Sequence, residues 1–339
     1  MKRLKSVCLS IILIIGSTAS ITFCQTKWAQ TGFNFLNVSS DAKSGAMGDA
    51  VNSLSGYSGA LFHNPATMAE MPSFFSSTFS INNWIADIKY LQLSAIFSPF
   101  NGDYGVLGFS LQSIDYGDVL GTMNWNNEKG YIDTGILNPS ALAIGIGYAK
   151  MISDRFGVGG QVKFAYQELG KSTISSVDNN SYQTKRNLAD AVAFDFGTIF
   201  KTGVQSLAFG MSVRNFSKEI KFEQEGFQLP LIFTIGISAN LFDFVEIKGP
   251  EQSFILSVDA THPRSHPEQV KVGAEYSFLK IISLRGGYIT GDSEDDVTFG
   301  LGISSSGMGI SALNFEIDYS YTPFGVFDNV QRFTARLSL

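Results

Sequence analysis

The sequence predicts an all-β fold: a transmembrane antiparallel β-barrel of about 14 strands, with an N-terminal plug segment containing short helices. Three observations carry this. Apolar residues alternate with small or polar ones, with a period of two, from about residue 73 to the C-terminus. The alternating runs are longer than soluble strands, and the chain begins with an export signal. Composition excludes the competing classes. Of 339 residues, 44% are hydrophobic and only 16% charged, so the chain is not intrinsically disordered. Two cysteines are too few for a disulfide scaffold. After the first 25 residues no stretch approaches the ~18 apolar residues that a membrane helix needs.

Residues 1–24 read as a signal peptide. Lys2, Arg3 and Lys5 form the positive region, Val7 to Gly16 the apolar core, and Cys24–Gln25 lie near the expected cleavage point. A lipoprotein signal would also put a cysteine at the new N-terminus, although Phe23 is large for that position. Without these residues the chain holds 21 Lys and Arg against 30 Asp and Glu, a formal charge of −9. Such a balance argues against nucleic acid as a partner.

Residues 25–72 do not alternate. They combine Gly45, Gly48, Gly56 and Gly59 with Phe33, Phe35, Leu36, Met47, Leu54, Leu61 and Phe62. A free exported tail would leave those apolar side chains in water, so the segment is expected to plug the barrel, its glycines allowing close backbone approach. It is either a ligand gate or a folding cap that fills the bore.

Residues 73–339 form the expected barrel. Leu207, Phe209, Met211 and Val213 alternate with Ala208, Gly210, Ser212 and Arg214, and Phe315, Ile317, Tyr319 and Tyr321 alternate with Glu316, Asp318 and Ser320. A strand separates such sets onto two faces, whereas a helix cannot. The runs fall at roughly 73–83, 86–98, 104–115, 138–151, 154–167, 189–201, 204–216, 229–240, 252–262, 267–279, 281–290, 295–304, 309–321 and 328–338. Their length suits a tilted membrane strand of about 9–11 residues. Leu142, Phe209 and Phe315 are expected to face lipid. Lys163, Asp195, Arg214, Asp259, Lys271, Glu275, Glu316, Asp318 and Arg336 are expected to face the bore, either wet or paired across it. Long connections at 116–137, 168–188 and 217–228 alternate with short ones, as external loops and periplasmic turns do. The segment 241–251 is long where a short turn is expected. Trp84, Tyr90, Tyr148 and Tyr321, near strand ends, suggest an interfacial girdle.

No constellation for catalysis, cofactor or metal stands out, and the chain reads as no enzyme. Gly302-Ile-Ser304-Ser-Ser306 lacks the second glycine of a nucleophile elbow. His262 and His266 sit among prolines in an expected loop, and the run Asp292, Glu294, Asp295, Asp296 reads as a hydrophilic loop tip rather than a Ca²⁺ site.

In the plug, Phe33-Asn34-Phe35-Leu36, Asp41-Ala42-Lys43-Ser44-Gly45-Ala46-Met47-Gly48-Asp49-Ala50 and Asn64-Pro65-Ala66-Thr67-Met68 resemble the start of the PorV/PorQ family. These outer-membrane proteins are associated with type IX secretion and built like FadL-type transporters. Lys43 stands where family members often carry Arg, and His63 where they often carry Trp. The resemblance implies a fourteen-stranded plugged barrel in the outer membrane of a Gram-negative-type bacterium, surrounded by outer-membrane lipid. It implies a role in protein secretion, with secreted cargo proteins or secretion-system components as partners. The alternative is FadL-like transport of a hydrophobic small molecule, and a third reading is a structural barrel anchoring a surface assembly. The motif residues Gly45, Met47, Gly48, Asn64, Pro65 and Ala66 are expected to be structural: Pro65 holds Asn64 extended, and Asn64 closes an Asx turn.

Overall fold

Side chains that alternate along the sequence alternate across the barrel wall. The computed structural model describes residues 31–175, 182–222, 225–245, 251–291, 296–308 and 313–339. The expected signal peptide lies outside the described residues, as do Asp178, Asn179, Asn180, Asp292, Glu294 and Asp295.

The strands are β1 (Phe75–Asn83), β2 (Lys89–Phe97), β3 (Val106–Asp115), β4 (Val119–Asn124), β5 (Tyr131–Leu137), β6 (Ser140–Ser153), β7 (Phe156–Ser175), β8 (Tyr182–Lys201) and β9 (Ala208–Phe216). They continue with β10 (Ile220–Phe222), β11 (Glu225–Phe227), β12 (Ile232–Asn240), β13 (Gln252–Pro263), β14 (Gln269–Phe278), β15 (Ile282–Ile289), β16 (Val297–Ser304), β17 (Asn314–Thr322) and β18 (Val330–Ser338). Fourteen of them close an antiparallel barrel, each next to its barrel neighbour in sequence, and β1 pairs with β18 to seal it, Phe79 lying opposite Ala335. Closure leaves no unpaired strand edge, which a hydrocarbon environment requires. The other four strands form two hairpins, β4–β5 and β10–β11, inside external connections.

The outer surface is apolar. Ile146 is 67% exposed and Ile303 60%, while Phe209, Phe315 and Phe333 are also exposed and Leu142 is half-buried. Inward positions are small or polar: Ser76, Thr78, Ser80 and Asn82 on β1 are all buried. A soluble barrel would have these faces exchanged, so the alternation belongs to a membrane wall.

The plug occupies the bore. It holds a 3₁₀ turn at Asn34–Asn37, a one-turn helix α1 at Ala42–Ala46, and two more 3₁₀ turns at Ser58–Phe62 and Pro65–Glu70. Asp41 caps α1, its carboxylate accepting from the Ser44 amide at 3.0 Å. Along β2–β8 apolar packing dominates, with Gln112 on β3 also donating to the Phe35 and Val38 carbonyls at 3.2 Å. Phe33, Phe35 and Leu36 meet Tyr90, Ile114, Ala141, Ala143, Ala165, Ala191 and Ala193, while Leu61, Met68 and Met71 meet Ile96, Val106 and Ala149. Along β14–β18 the contacts are polar: the Ala42 amide donates to Thr334 Oγ1 at 2.8 Å and the Gly48 amide to Thr298 Oγ1 at 3.0 Å.

Three expectations need correction. Loop 116–137 contains the β4–β5 hairpin, and β7 and β8 run beyond the expected ends at 167 and 189. These segments stand clear of the bilayer, so no lipid face imposes the alternation used to find strands. His262 lies within β13, opposite Phe233, and not in a loop. Tyr90 is buried in the bore rather than placed on a girdle, because it shares parity with Gln92, Ser94 and Ile96; Trp84 lies at the mouth of the bore. The long segment 241–251 does not disturb the register, since β12 and β13 pair from Ile232–Pro263 to Asn240–Ile255, and its first residues form a 3₁₀ turn, Leu241–Phe244.

Candidate functional site

The motif residues of the plug are placed against the wall at positions where larger side chains would not fit. Gly45 lies against Arg332, and a Cβ there would stand 2.7 Å from Arg332 Cδ. Met47 is fully buried, its backbone facing the inward glycines Gly273 and Gly287. Gly48 lies beyond α1 with φ of +60°, a conformation that glycine adopts without penalty. Asn64 Oδ1 accepts from the Ala66 amide at 3.0 Å, and its amide donates to the Asn52 carbonyl at 2.8 Å and the Thr198 carbonyl at 3.1 Å. One side chain thereby ties together two plug turns and β8. Pro65 opens the last 3₁₀ turn, and Ala66 presses on Gly159, where a Cβ would sit 2.7 Å from Ala66 Cα.

The inward charges pair across the bore instead of lining an open channel. Arg336 on β18 donates to Asp41 of the plug at 2.5 Å and also to Asp318. Arg285 on β15 binds Glu275 at 2.5 Å, Glu316 at 3.1 Å and Asp318. Lys43 on α1 reaches Glu275 at 3.2 Å, and both Lys43 and Arg336 lie over the ring of Tyr57. Three cations and four carboxylates thus join the plug to four strands. Burial would raise the Asp41 carboxyl, but Arg336 and the Ser44 amide outweigh it and hold the group below the ordinary carboxylate range. On the far wall Lys163 pairs with Asp195 at 2.8 Å and donates to Asn215 at 2.6 Å, and Arg214 donates to the Phe62 carbonyl at 2.6 Å.

Above the plug, towards the external loops, lies a cavity of about 330 Å³. Its floor comes from the plug (Asn37, Asp49, Asn52, His63) and its walls from Arg214, Asp259, Thr261, Lys271 and Arg332. Trp84 and Phe324 stand at its mouth, ring centroids 5.3 Å apart and edge to face. Burial lowers His63 to about 4, so its imidazole is neutral at pH 7. A second space, of about 260 Å³, lies at the periplasmic end beside Tyr57, Ser76, Glu316 and Arg336. Helix α1 and its ion pairs separate the two.

Sequence reasoning found the inward charges but not this cavity. Trp84 stood out, but as an anchor, and Asn37, Asn52 and Phe324 carried no signal. The two histidines singled out earlier do not meet: His262 pairs with Glu268 at 2.9 Å, and His266 bonds Ser265 at 2.7 Å. Asp296 is the one described member of the acidic run, its carbonyl accepting from the Ile289 amide at 2.8 Å.

A closed fourteen-strand antiparallel wall, an apolar exterior and a plugged polar bore define an outer-membrane β-barrel, with a fold like that of FadL-type barrels. No family model and no curated protein matches the chain. Among solved structures it is similar to the toluene transporter TodX of Pseudomonas putida, at 13% identity and a TM-score of 0.55, over 93% of this chain and 99% of that one. It is also similar to the toluene transporter TbuX of Ralstonia pickettii, at 12% identity and a TM-score of 0.54, over 87% of this chain and 96% of that one. A FadL homologue of Pseudomonas aeruginosa matches at 10% identity and a TM-score of 0.51, over 92% and 99%. At these identities the likeness is one of fold. These neighbours carry nothing specific to PorV/PorQ.

Proposed function

We propose that the protein transports a small hydrophobic or amphipathic molecule across the outer membrane, with the N-terminal segment acting as a gate rather than an inert cap. The observation that carries this reading is the cavity at the outer mouth, floored by a plug whose contacts with β14–β18 are ion pairs and hydrogen bonds. Buried pairs of this kind hold firmly and release only when water or an incoming molecule replaces the lost partners, so the plug shifts along that wall on a trigger rather than freely. The shared fold with two barrels described as toluene transporters supports the same reading. Transport of this kind needs no bond to be made or broken.

The test is uptake into proteoliposomes, with phenyl β-glucoside and benzenesulfonate as probes, amphipathic molecules that cross bare lipid slowly. Protein-containing vesicles are expected to fill faster than empty ones, and fill rates equal to those of empty vesicles overturn the proposal. A second reading, service in protein secretion, is supported by the plug motifs and by the β4–β5 hairpin and β7–β8 extension projecting from the outer face. Recovery of secreted proteins in a pull-down from native membranes, with no acceleration of small-molecule uptake, would favour that reading over transport.

A further inference from the structure

The plug enters the bore from its outer end. Its first described residues, Thr31 and Gly32, lie beside Gln228, in the external connection between β9 and β12. Thr31 forms a parallel bridge with Gln228, and the Gly32 amide donates to the Gln228 carbonyl at 3.2 Å. The last plug turn, Pro65–Glu70, ends at the opposite face, where Glu70 pairs at 2.5 Å with Lys201, at the periplasmic end of β8. Residues 71–74 then lead into β1, which starts beside the C-terminus, the Phe75 amide donating to the Leu339 carbonyl at 3.3 Å. The plug therefore crosses the barrel once, from outside to inside.

The outer end is held by hairpin β10–β11. Phe33 stacks on Phe227, ring centroids 6.0 Å apart and planes 21° from parallel, and Phe227 is paired across the hairpin with Ile220. Gly32 lies so close to the Phe227 ring that a Cβ there would overlap it. Asn215, near the outer end of β9, donates to Asn37 Oδ1 at 3.2 Å. Phe33 is buried with φ of +57°, a left-handed conformation that a bulky residue keeps only where its surroundings over-determine it. The bridge, the stacked ring and the packed cluster around Phe33 supply that constraint.

The chain ahead of Thr31 is short. With the signal removed after Cys24, six residues, Gln25 to Gln30, precede it. Fully extended, six residues span at most about 22 Å. The hydrocarbon core of a bilayer is about 30 Å thick, so they cannot reach back to the periplasm.

We infer that the mature N-terminus is displayed at the cell surface and that hairpin β10–β11 anchors the plug there, making the plug a strap held at both ends. The inference rests on the gate reading above only for its consequence: with both ends held, the part left to swing is the middle, around α1, and the outer fastening is within reach of molecules outside the cell.

Cysteine labelling on cells producing the full-length protein tests the direction of the strap. The probe is a maleimide on a polyethylene glycol chain too large for general porins, read as a gel shift, with wild type as the background. Thr26→Cys should be modified on intact cells as fully as after the outer membrane is permeabilised. Ser55→Cys, exposed and beside Glu70 at the inner end, should be modified only after permeabilisation. Protection of Thr26→Cys on intact cells, or modification of Ser55→Cys there, would overturn the inference. Hydrogen–deuterium exchange of the purified barrel tests the anchor. Phe227→Ala should speed exchange of the amides of residues 32–38 at least tenfold and leave those of residues 66–71 unchanged. Unchanged exchange at 32–38, in a variant whose heat-modifiable migration shows it folded, would overturn the anchor; if Phe227→Ala does not fold, Phe227→Leu, which keeps bulk but not the stacked ring, decides the matter. A strap that passes both tests in a protein that fills no vesicles would count against transport alone, so the two readings fail separately.

Discussion

Arg336, near the end of the last strand, donates to Asp41, at the cap of the first helix, across 2.5 Å of buried space. The pair joins sequence positions almost a whole chain apart. It also joins wall to plug, because the same guanidinium holds Asp318 on β17.

Arg336→Ala removes the cation shared by Asp41, Asp318 and Glu316. Stranding buried carboxylates costs about 3–5 kcal/mol, and that cost falls on the plugged state. The variant should show raised single-channel conductance in planar bilayers, with Arg336→Lys intermediate. Conductance identical to wild type would show that the plug does not depend on this pair.

Gly159→Val drives methyl groups into the backbone of Pro65 and Ala66. Overpacking of this kind costs about 1–3 kcal/mol. The temperature at which the folded band disappears on unboiled gels should fall, while strand content by circular dichroism stays unchanged.

Burial lowers His63 to about 4 from its ordinary 6.5. Between those values the unfolded chain binds a proton that the folded chain does not, so stability declines as pH falls through this window. The contribution is at most about 3 kcal/mol. Below pH 4 the loss continues as Asp41 and Asp49, both held below the ordinary carboxylate range, are protonated. Melting temperature measured from pH 7 to 4 should drop more steeply for wild type than for His63→Gln, and parallel curves would refute this.

Ile317 lies on the outer face of β17 and is 52% exposed. An arginine there would meet hydrocarbon, at a cost of about 2–4 kcal/mol near the bilayer centre. Folding of Ile317→Arg into vesicles should be measurably less favourable by urea titration. A neutral result would mean that the outer face does not meet lipid.

The barrel was legible because the bilayer imposes one rule on every strand within it. Phe209, Ile317 and Phe333 alternate with small or charged residues for that reason alone, and each predicted strand overlaps an observed one. Outside the membrane the rule lapses, which is why the β4–β5 hairpin and the outer reaches of β7 and β8 were read as loop. The inward charges could be named from parity, but not their partners: nothing in the local sequence links Asp41 to Arg336 or Lys43 to Glu275. The cavity was hidden for a related reason. Asp259, Asn52 and Trp84 come from three separate parts of the chain, and only the closed barrel brings them together.

The plug is fastened differently on its two sides, with Phe33, Phe35 and Met68 packed against β2–β8 and charged or hydroxyl groups set against β14–β18. Withdrawing the aromatic side would bare greasy surface to water, whereas the ionic side, once water enters, finds new partners in it for each charged group. The segment therefore behaves as a door with its hinge on one jamb and its latch on the other, and any passage it uncovers runs beside Arg336 and Glu316.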